Sequence, residues 1–155
     1  MNTDFQTFDV TREIAARPET VYRTWAEPDL KRRWFAPEVS NGWHAEGYEA
    51  DLREGGVERS RFRHDEIGSF QFEARYIQMR APGRLVYSFT MATAEALLSA
   101  SLATVCIHAH GAGSRVIYTE QAVFLDGGDR RETRLAGTTD LIAKMAAIAG
   151  EVENA

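Results

Sequence analysis

Three kinds of hydrophobic pattern follow one another along the chain. Residues 5–14 (FQTFDVTREI) mix aromatic and β-branched residues with polar ones, which is typical of a strand. Two short segments, 18–27 and 28–35, each begin with proline and carry apolar residues four positions apart, which places those residues on one helical face. Helices of about two turns are not stable alone, so both are predicted to pack on the rest of the chain.

From about residue 43 the apolar residues recur at every second position. This pattern predicts strands near residues 46–53, 57–64, 69–79, 84–91, 102–110 and 114–125. Glycine and proline turns separate them, as at Gly55-Gly56 and Pro82-Gly83. Parallel strands need long crossovers, whereas tight turns join antiparallel strands, so an antiparallel meander is predicted.

The last segment has the pattern of one long helix. Asp129 and Glu132 resemble a capping box at its start, and Gly150 is its predicted end. Its apolar face steps through positions 135, 139, 142, 146 and 149, with 141, 145, 148 and 152 beside it. Only the sheet is large enough to cover this face. A single α+β domain, residues 1–155, is therefore predicted, with a curved antiparallel sheet wrapped around the C-terminal helix and space for a ligand between them.

Composition narrows the class of protein. The 155 residues are 44% hydrophobic, enough for a core, and 18 basic against 23 acidic residues give a net charge of −5. This charge argues against nucleic-acid binding and against docking on anionic membranes. No apolar run approaches the ~20 residues that span a bilayer, and the N-terminus lacks a signal-peptide pattern. With Cys106 as the single cysteine, an internal disulfide is excluded, and a reduced, cytoplasmic protein is expected.

Several short motifs, in order, resemble one superfamily. The opening FDVTREIAARPETVYRTWAEPDLKRRWF (8–35) carries Ile14, Ala16, Glu19, Val21, Trp25, Pro28 and Trp34 at the spacing of its first motif. A D-x-R-x-G-G turn (51–56), a proline turn before R-L-V (82–86), GSRVIYTEQAVF (113–124) and GTTDLIAKM (137–145) follow. Together they resemble the START-like (SRPBCC) superfamily, in the branch of the C-terminal domain of the activator of the heat-shock-protein-90 ATPase, and its bacterial stand-alone members.

This resemblance implies a helix-grip fold and leaves the function open. Relatives bind lipids, hormones or polyketides, a few are cyclases or hydrolases, and one branch is a co-chaperone. A fold alone does not decide among these activities.

Two residues are candidates for acid–base chemistry. Alternation over residues 114–124 places Glu120 on the same face as Tyr118 and Phe124, where a carboxylate is costly unless it is paired or protonated. Glu120 is therefore either a polar anchor or general acid in a cavity, or an ordinary ion-pair partner of an arginine. Alternation over 57–64 turns Phe62 and His64 inward, where His64 is either a ligand contact or base, or a satisfied core histidine.

Aromatic residues dominate the predicted inner face. They suit either the wall of a cavity for a flat or acyl ligand, or a filled core, and composition does not separate these alternatives. The predicted ligand-binding residues are Trp34, Phe35, Trp43, Phe62, His64, Phe70, Phe72, Tyr76, Phe89, Tyr118, Glu120, Ile142 and Met145.

No metal or cofactor is predicted. His108 and His110 share a strand face with Cys106, and this H-x-H spacing binds a metal only if a third ligand converges. When the chain is aligned with the family that it resembles, Val105 and Ile107 take the inward positions. The two histidines and the cysteine are then expected on the outer face. Phosphate-loop, nucleophile-elbow and HExxH motifs are absent from the sequence.

Three functions remain open at this point. The first is binding of a small hydrophobic molecule, aromatic or lipid-like, between the sheet and the last helix. The second is a cyclase- or hydrolase-type enzyme that uses Glu120 with His64. The third is a protein-interaction module, with a heat-shock-protein-90-type chaperone as partner. A homodimer is a further hypothesis, because Leu102 and Cys106 lie on the outer face of the sheet and edge strands can pair.

Overall fold

One antiparallel sheet holds all eight strands of the protein. The computed structural model describes all 155 residues. The elements in chain order are β1 (Thr3–Ile14), α1 (Pro18–Ala26), α2 (Pro28–Phe35), β2 (Val39–Ser40), β3 (Trp43–Ala50), β4 (Val57–His64), β5 (Gly68–Arg80), β6 (Arg84–Ala92), β7 (Leu97–His110), β8 (Gly113–Leu125) and α3 (Arg131–Glu153). The spatial order is β1-β8-β7-β6-β5-β4-β3-β2, so β2 to β8 form a meander and β1 pairs with β8. The predicted α+β helix-grip fold is confirmed.

Two strands differ from the prediction by three or more residues at a boundary. β7 begins at Leu97 and not at residue 102, because its first inward positions are Ser99 and Ser101, which gave no apolar alternation. β3 spans 43–50 and not 46–53, because a register shift between Ala45 and Gly47 interrupts its alternation. The two-residue strand β2 was not predicted.

Both predicted ends of α3 are wrong. Arg130 is the N-cap, with no side-chain capping bond, while the Asp129 carboxylate accepts a hydrogen bond from Arg134 Nε at 3.2 Å. At the other end, the helix continues through Gly150 to Glu153. Contacts with α1 hold this last turn, since the Thr20 hydroxyl donates to Glu153 Oε1 at 2.7 Å.

Only the second half of α3 packs tightly into the core. Ile142, Met145 and Ala149 are buried and join one hydrophobic cluster with residues of the sheet and α1. Thr139, which the predicted stripe included, is exposed, and its hydroxyl donates to the Leu135 carbonyl at 2.7 Å. The buried residues therefore all belong to the predicted face, and only Thr139 of the predicted stripe is exposed. None of the three helices is long and apolar enough to cross a membrane.

The two faces of β7 differ in the predicted sense. Val105 and Ile107 are buried, which confirms their inward direction. Cys106 is half-buried, and His108 and His110 are exposed on the outer face. Burial of the inward set places the core, and any internal site, on the side of the sheet that faces α3.

Candidate functional site

A cavity of about 470 Å³ lies between the inner face of the sheet, the segment from α2 to β3, and the first half of α3. More than half of its lining residues, 17 of 31, are hydrophobic, so its wall is mainly apolar. The predicted binding residues that line it are Trp34, Phe35, Trp43, Phe62, Phe70, Phe72, Phe89, Tyr118, Glu120 and Ile142.

The other three predicted residues lie outside this wall. The His64 ring packs edge-on against Trp43 with centroids 4.7 Å apart, and its Nδ1 accepts a hydrogen bond from the Glu66 amide at 3.1 Å. Tyr76 is engaged in a separate buried polar cluster, and Met145 is fully buried in the core. These packing roles explain why the inward direction of the three side chains did not bring them to the cavity.

The structure does not bring Glu120 and His64 together. Glu120 lies on β8 and His64 on β4, and three strands separate β8 from β4 in the sheet. The acid–base pair expected from the sequence is therefore not formed in this structure.

Glu120 is the centre of a buried polar network at one end of the cavity. Its side chain is fully buried, and it accepts hydrogen bonds from the Tyr118 hydroxyl, the Ser101 hydroxyl and Arg134 NH1, each at 2.7 Å. Both carboxylate oxygens are engaged, because Tyr118 binds Oε1 and the other two donors bind Oε2. With three donors on its two oxygens, this carboxylate joins β7, β8 and α3 beside the cavity.

Arg134 completes this network from α3. Its NH2 donates to Ser99 Oγ at 2.6 Å and its guanidinium also pairs with Asp129 at 3.1 Å. The guanidinium carbon lies over the rings of Phe89 and Phe124, 5.6 and 5.2 Å from their centroids. The arginine thus ties the first half of α3 to β7 and β8 at the edge of the cavity.

A second buried ion pair joins α2 to β4. Lys31 Nζ lies 3.1 Å from Glu58 Oε2, and the exposed fractions of the two side chains are 1% and 0%. Glu58 also accepts hydrogen bonds from the hydroxyls of Tyr76 at 2.8 Å and Tyr48 at 2.6 Å. Because α2 carries Trp34 and Phe35, this cluster fixes part of the cavity wall from behind.

Burial changes the ionisation of several groups around these networks. It raises the pKa of the Tyr76, Tyr87 and Tyr118 hydroxyls well above their usual value, and the nearby carboxylates add to this effect. The three tyrosines therefore remain neutral at physiological pH, and Tyr76 and Tyr118 donate hydrogen bonds to Glu58 and Glu120. Burial also lowers the pKa of Lys31, against the opposing effect of Glu58.

Two neighbouring tryptophans in the wall differ in their hydrogen bonding. Trp25 and Trp34 pack edge to face, with centroids 4.7 Å apart. The Trp34 indole donates to the Thr24 carbonyl at 2.9 Å. Trp25 Nε1 has no partner and is the one buried side-chain nitrogen or oxygen without one. An unsatisfied buried donor costs about 1–3 kcal/mol. A hydrogen-bond acceptor placed beside Trp25 Nε1 would recover this free energy.

A glycine and a lysine of α3, Gly137 and Lys144, also line the cavity. A Cβ atom built on Gly137 meets nothing within 4 Å, so open space lies beside this part of the helix. Lys144 Nζ donates to Ser40 Oγ at 2.7 Å, which bridges α3 and β2. The helix thus contributes backbone surface and one bridging cation here, and no bulky side chain at position 137.

Four residues in or beside the site were not predicted from the sequence to belong to it: Trp25, Lys31, Arg134 and Gly137. Lys31 lies three residues before Trp34, so the helical period places it on the same inward face. Arg134 precedes the buried Ile142 by eight residues, which also predicts one face. These periodic signals could have identified both charged residues. Nothing in the sequence indicated that Trp25 Nε1 lacks an acceptor.

No group of three or more histidine, cysteine, aspartate or glutamate side chains is arranged to hold a metal ion. Half-buried His44 pairs with exposed Asp65 at 2.9 Å, and the His44 and Arg63 side chains lower the pKa of Asp65 by hydrogen bonding. His44 pairs in register with Arg63, whereas the neighbouring Trp43 and Ala45 pair with inward-facing residues. His44 also lines the cavity, so this ion pair lies at the rim of the cavity.

Solved structures with the same architecture come from several bacteria. An uncharacterised protein from Rhizobium leguminosarum is 32% identical, with 97% of each chain covered and a TM-score of 0.89. A protein from Rhizobium loti is 31% identical, with 96% of this chain and 99% of the other covered and a TM-score of 0.86. An AHSA1-like protein from Aeromonas hydrophila, 20% identical over 95% and 94% of the two chains, has a TM-score of 0.70 and shares the fold. No curated protein matches this sequence.

The sequence profile of one family extends over most of the chain. That family is described as "Activator of Hsp90 ATPase homolog 1-like protein", and the match covers residues 15–150. It agrees with the motifs that begin near Ile14 and end with the GTTDLIAKM segment of α3. The chain belongs to the family of activator of Hsp90 ATPase homolog 1-like proteins, within the SRPBCC superfamily.

Proposed function

We propose that this protein binds one small, uncharged, hydrophobic molecule in the cavity between the sheet and α3. The observation that carries the proposal is an apolar-walled space of about 470 Å³ in the interior of the domain. Cavities of about 300–1,000 Å³ with mostly apolar walls are the usual sites of small ligands. Membership of a superfamily known for ligand-binding cavities supports the same function.

The ligand is uncharged because the buried charges in the wall already pair with each other. Glu120 and Arg134 form an ion pair at 2.7 Å, and Asp129 satisfies a further part of the guanidinium. A charged group beside Glu120 would enter an apolar space without a free counter-charge, and that desolvation is costly. The cation of the lining that has no carboxylate partner, Lys144, instead binds Ser40 on β2. An apolar molecule avoids this cost and gains from contact with the aromatic wall.

One polar atom on the ligand would complete the hydrogen bonding of the site. Trp25 lines the cavity, and its Nε1–H lacks an acceptor. A ketone, ether or similar oxygen accepts such a bond and carries no charge. The ligand class is therefore a hydrophobic molecule with one hydrogen-bond acceptor.

Titration with 2-acetylnaphthalene tests this function. This molecule is flat, apolar and neutral and carries one ketone oxygen. We expect saturable binding with one site per chain, measured by quenching of tryptophan fluorescence and by calorimetry. If neither this ketone nor its hydrocarbon isostere 2-isopropenylnaphthalene binds saturably, the proposal fails.

The two tryptophans of the wall provide a matched pair of variants. Trp25→Phe is expected to remove the preference for 2-acetylnaphthalene over 2-isopropenylnaphthalene, which we expect to be about 2- to 10-fold, the worth of one hydrogen bond. Trp34→Phe should keep that preference, because its indole donates to the Thr24 carbonyl. Both substitutions also reduce the area of the aromatic ring. This loss affects the two ligands equally, so it cancels in the ratio of their affinities. An equal ratio in Trp25→Phe and the wild type would contradict the role of Trp25.

The enzymatic alternative has weaker support. Both oxygens of Glu120 are engaged by donors, and His64 lies outside the cavity wall. A cyclase or hydrolase would need a titrating group with a free position toward the substrate. Ligand binding requires no such group and is the function that the geometry supports best.

A further inference from the structure

Of the three buried tyrosines, only Tyr87 makes no hydrogen bond through its hydroxyl. The Tyr76 hydroxyl donates to Glu58 at 2.8 Å, and the Tyr118 hydroxyl donates to Glu120 at 2.7 Å. A buried tyrosine hydroxyl usually has a partner, because it loses its hydrogen bonds to water on folding. The Tyr87 hydroxyl is therefore the one in this core that is free to bind another group.

The oxygen of Tyr87 is open to the cavity. Tyr87 lies on β6 and lines the cavity. Trp25 Nε1 is the one fully buried polar side-chain atom without a partner, so the Tyr87 oxygen, which also has none, keeps some accessible surface. The whole residue is only 5% exposed and faces inward, so the cavity is where this oxygen can be reached.

The neighbours of Tyr87 leave its oxygen without a donor. In the register of β6, β7 and β8, only the small Ala103 lies between Tyr87 and Glu120. Burial raises the pKa of Tyr87, and the nearby Tyr118 hydroxyl opposes this rise. Because Tyr118 already donates its single proton to Glu120, it can accept a proton from Tyr87 but cannot give one. The lone pairs of the Tyr87 oxygen therefore remain free on the cavity side.

We propose that Tyr87 selects ligands with a hydroxyl group by accepting a hydrogen bond from that group. This inference rests on the proposed function and narrows the ligand class to a neutral, hydrophobic alcohol or phenol. Trp25 is a neighbour of Tyr87 in the wall, with ring centroids 6.5 Å apart, and its indole has a free N–H. A hydroxyl group is the simplest neutral group that both accepts a hydrogen bond, as Trp25 requires, and donates one, as Tyr87 requires.

Two isomeric molecules test this selection. The hydroxyl of 2-naphthalenemethanol donates and accepts hydrogen bonds, whereas the oxygen of 2-methoxynaphthalene only accepts them. Calorimetric titration gives the affinity of each molecule for the wild type and for Tyr87→Phe. We expect the ratio of the alcohol affinity to the ether affinity to be about 2- to 10-fold lower in Tyr87→Phe than in the wild type, which is the effect of one hydrogen bond.

Tyr22→Phe is the matched control. It removes the same hydroxyl from a half-buried tyrosine of α1 that does not line the cavity, so it should keep the wild-type ratio. Circular dichroism should give the wild-type spectrum and melting curve for Tyr87→Phe, because the lost hydroxyl has no partner in the protein.

The outcomes separate this inference from the proposed function. If both isomers bind the wild type and the ratio is unchanged in Tyr87→Phe, or falls equally in Tyr22→Phe, only the role of Tyr87 is wrong. A Tyr87→Phe variant that fails to fold would also overturn that role, since the hydroxyl would then have a structural partner. If neither isomer binds the wild type, the proposed function fails as well.

Discussion

Replacing Lys31 with methionine is expected to lower the free energy of unfolding by about 3–5 kcal/mol. The substitution leaves the Glu58 carboxylate fully buried without its cation. The hydroxyls of Tyr48 and Tyr76 would still donate to Glu58, but they do not neutralise its charge. Urea-induced unfolding followed by circular dichroism measures the loss.

Two further variants make this prediction specific to burial. Lys31→Met combined with Glu58→Gln should recover most of the loss, because the amide is neutral and still accepts a hydrogen bond from a tyrosine. Arg23→Met breaks the exposed Arg23–Glu27 pair of α1 and should cost less than about 1 kcal/mol. If Lys31→Met costs no more than Arg23→Met, or the double variant is no more stable than Lys31→Met alone, the buried pair does not have this role.

Replacing Gly137 with phenylalanine is expected to weaken the binding of 2-acetylnaphthalene at least about tenfold, which corresponds to about 1.4 kcal/mol. A Cβ atom at Gly137 meets nothing within 4 Å, and this position lines the cavity. The added benzyl group would therefore occupy space that the ligand needs, without a clash with the backbone. Calorimetric titration of the folded variant gives the affinity.

Gly150 provides the matched control on the same helix. A Cβ atom there also meets nothing within 4 Å, but Gly150 does not line the cavity. Gly150→Phe should therefore bind 2-acetylnaphthalene like the wild type. Equal weakening in both variants would indicate a general effect on α3, and no weakening in Gly137→Phe would place the ligand elsewhere.

The fold could be predicted from local patterns because the spacing of apolar residues repeats several times within each strand or helix. β4 and α2 were predicted at their observed bounds. Residues 57–64 alternate regularly, and residues 28–35 begin with proline and follow the helical period. The start of β7 was missed because inward Ser99 and Ser101 interrupt the apolar pattern. These serines face inward because each has a polar partner that is distant in the sequence: Arg134 donates to Ser99, and Ser101 donates to Glu120.

The sequence predicts a site residue only to the extent that strand alternation or the helical period shows which way its side chain points. Alternation placed Phe72, Phe89 and Tyr118 on the inner face, and all three line the cavity. It could not distinguish them from Tyr76, which shares that face but binds Glu58. An inward side chain lines the cavity only where α3 does not pack tightly against the sheet. That depends on the packing of the whole structure and not on the local sequence.

We propose that the space under the first half of α3 holds a hydrophobic ligand. Titration of ¹⁵N-labelled protein with 2-acetylnaphthalene, followed by amide chemical shifts, tests it most directly. We expect saturable shifts for cavity residues such as Phe72, Phe89 and Ile142, with little change around Thr104 on the outer face. The absence of saturable shifts, or shifts confined to the outer face of β6 to β8, would contradict it.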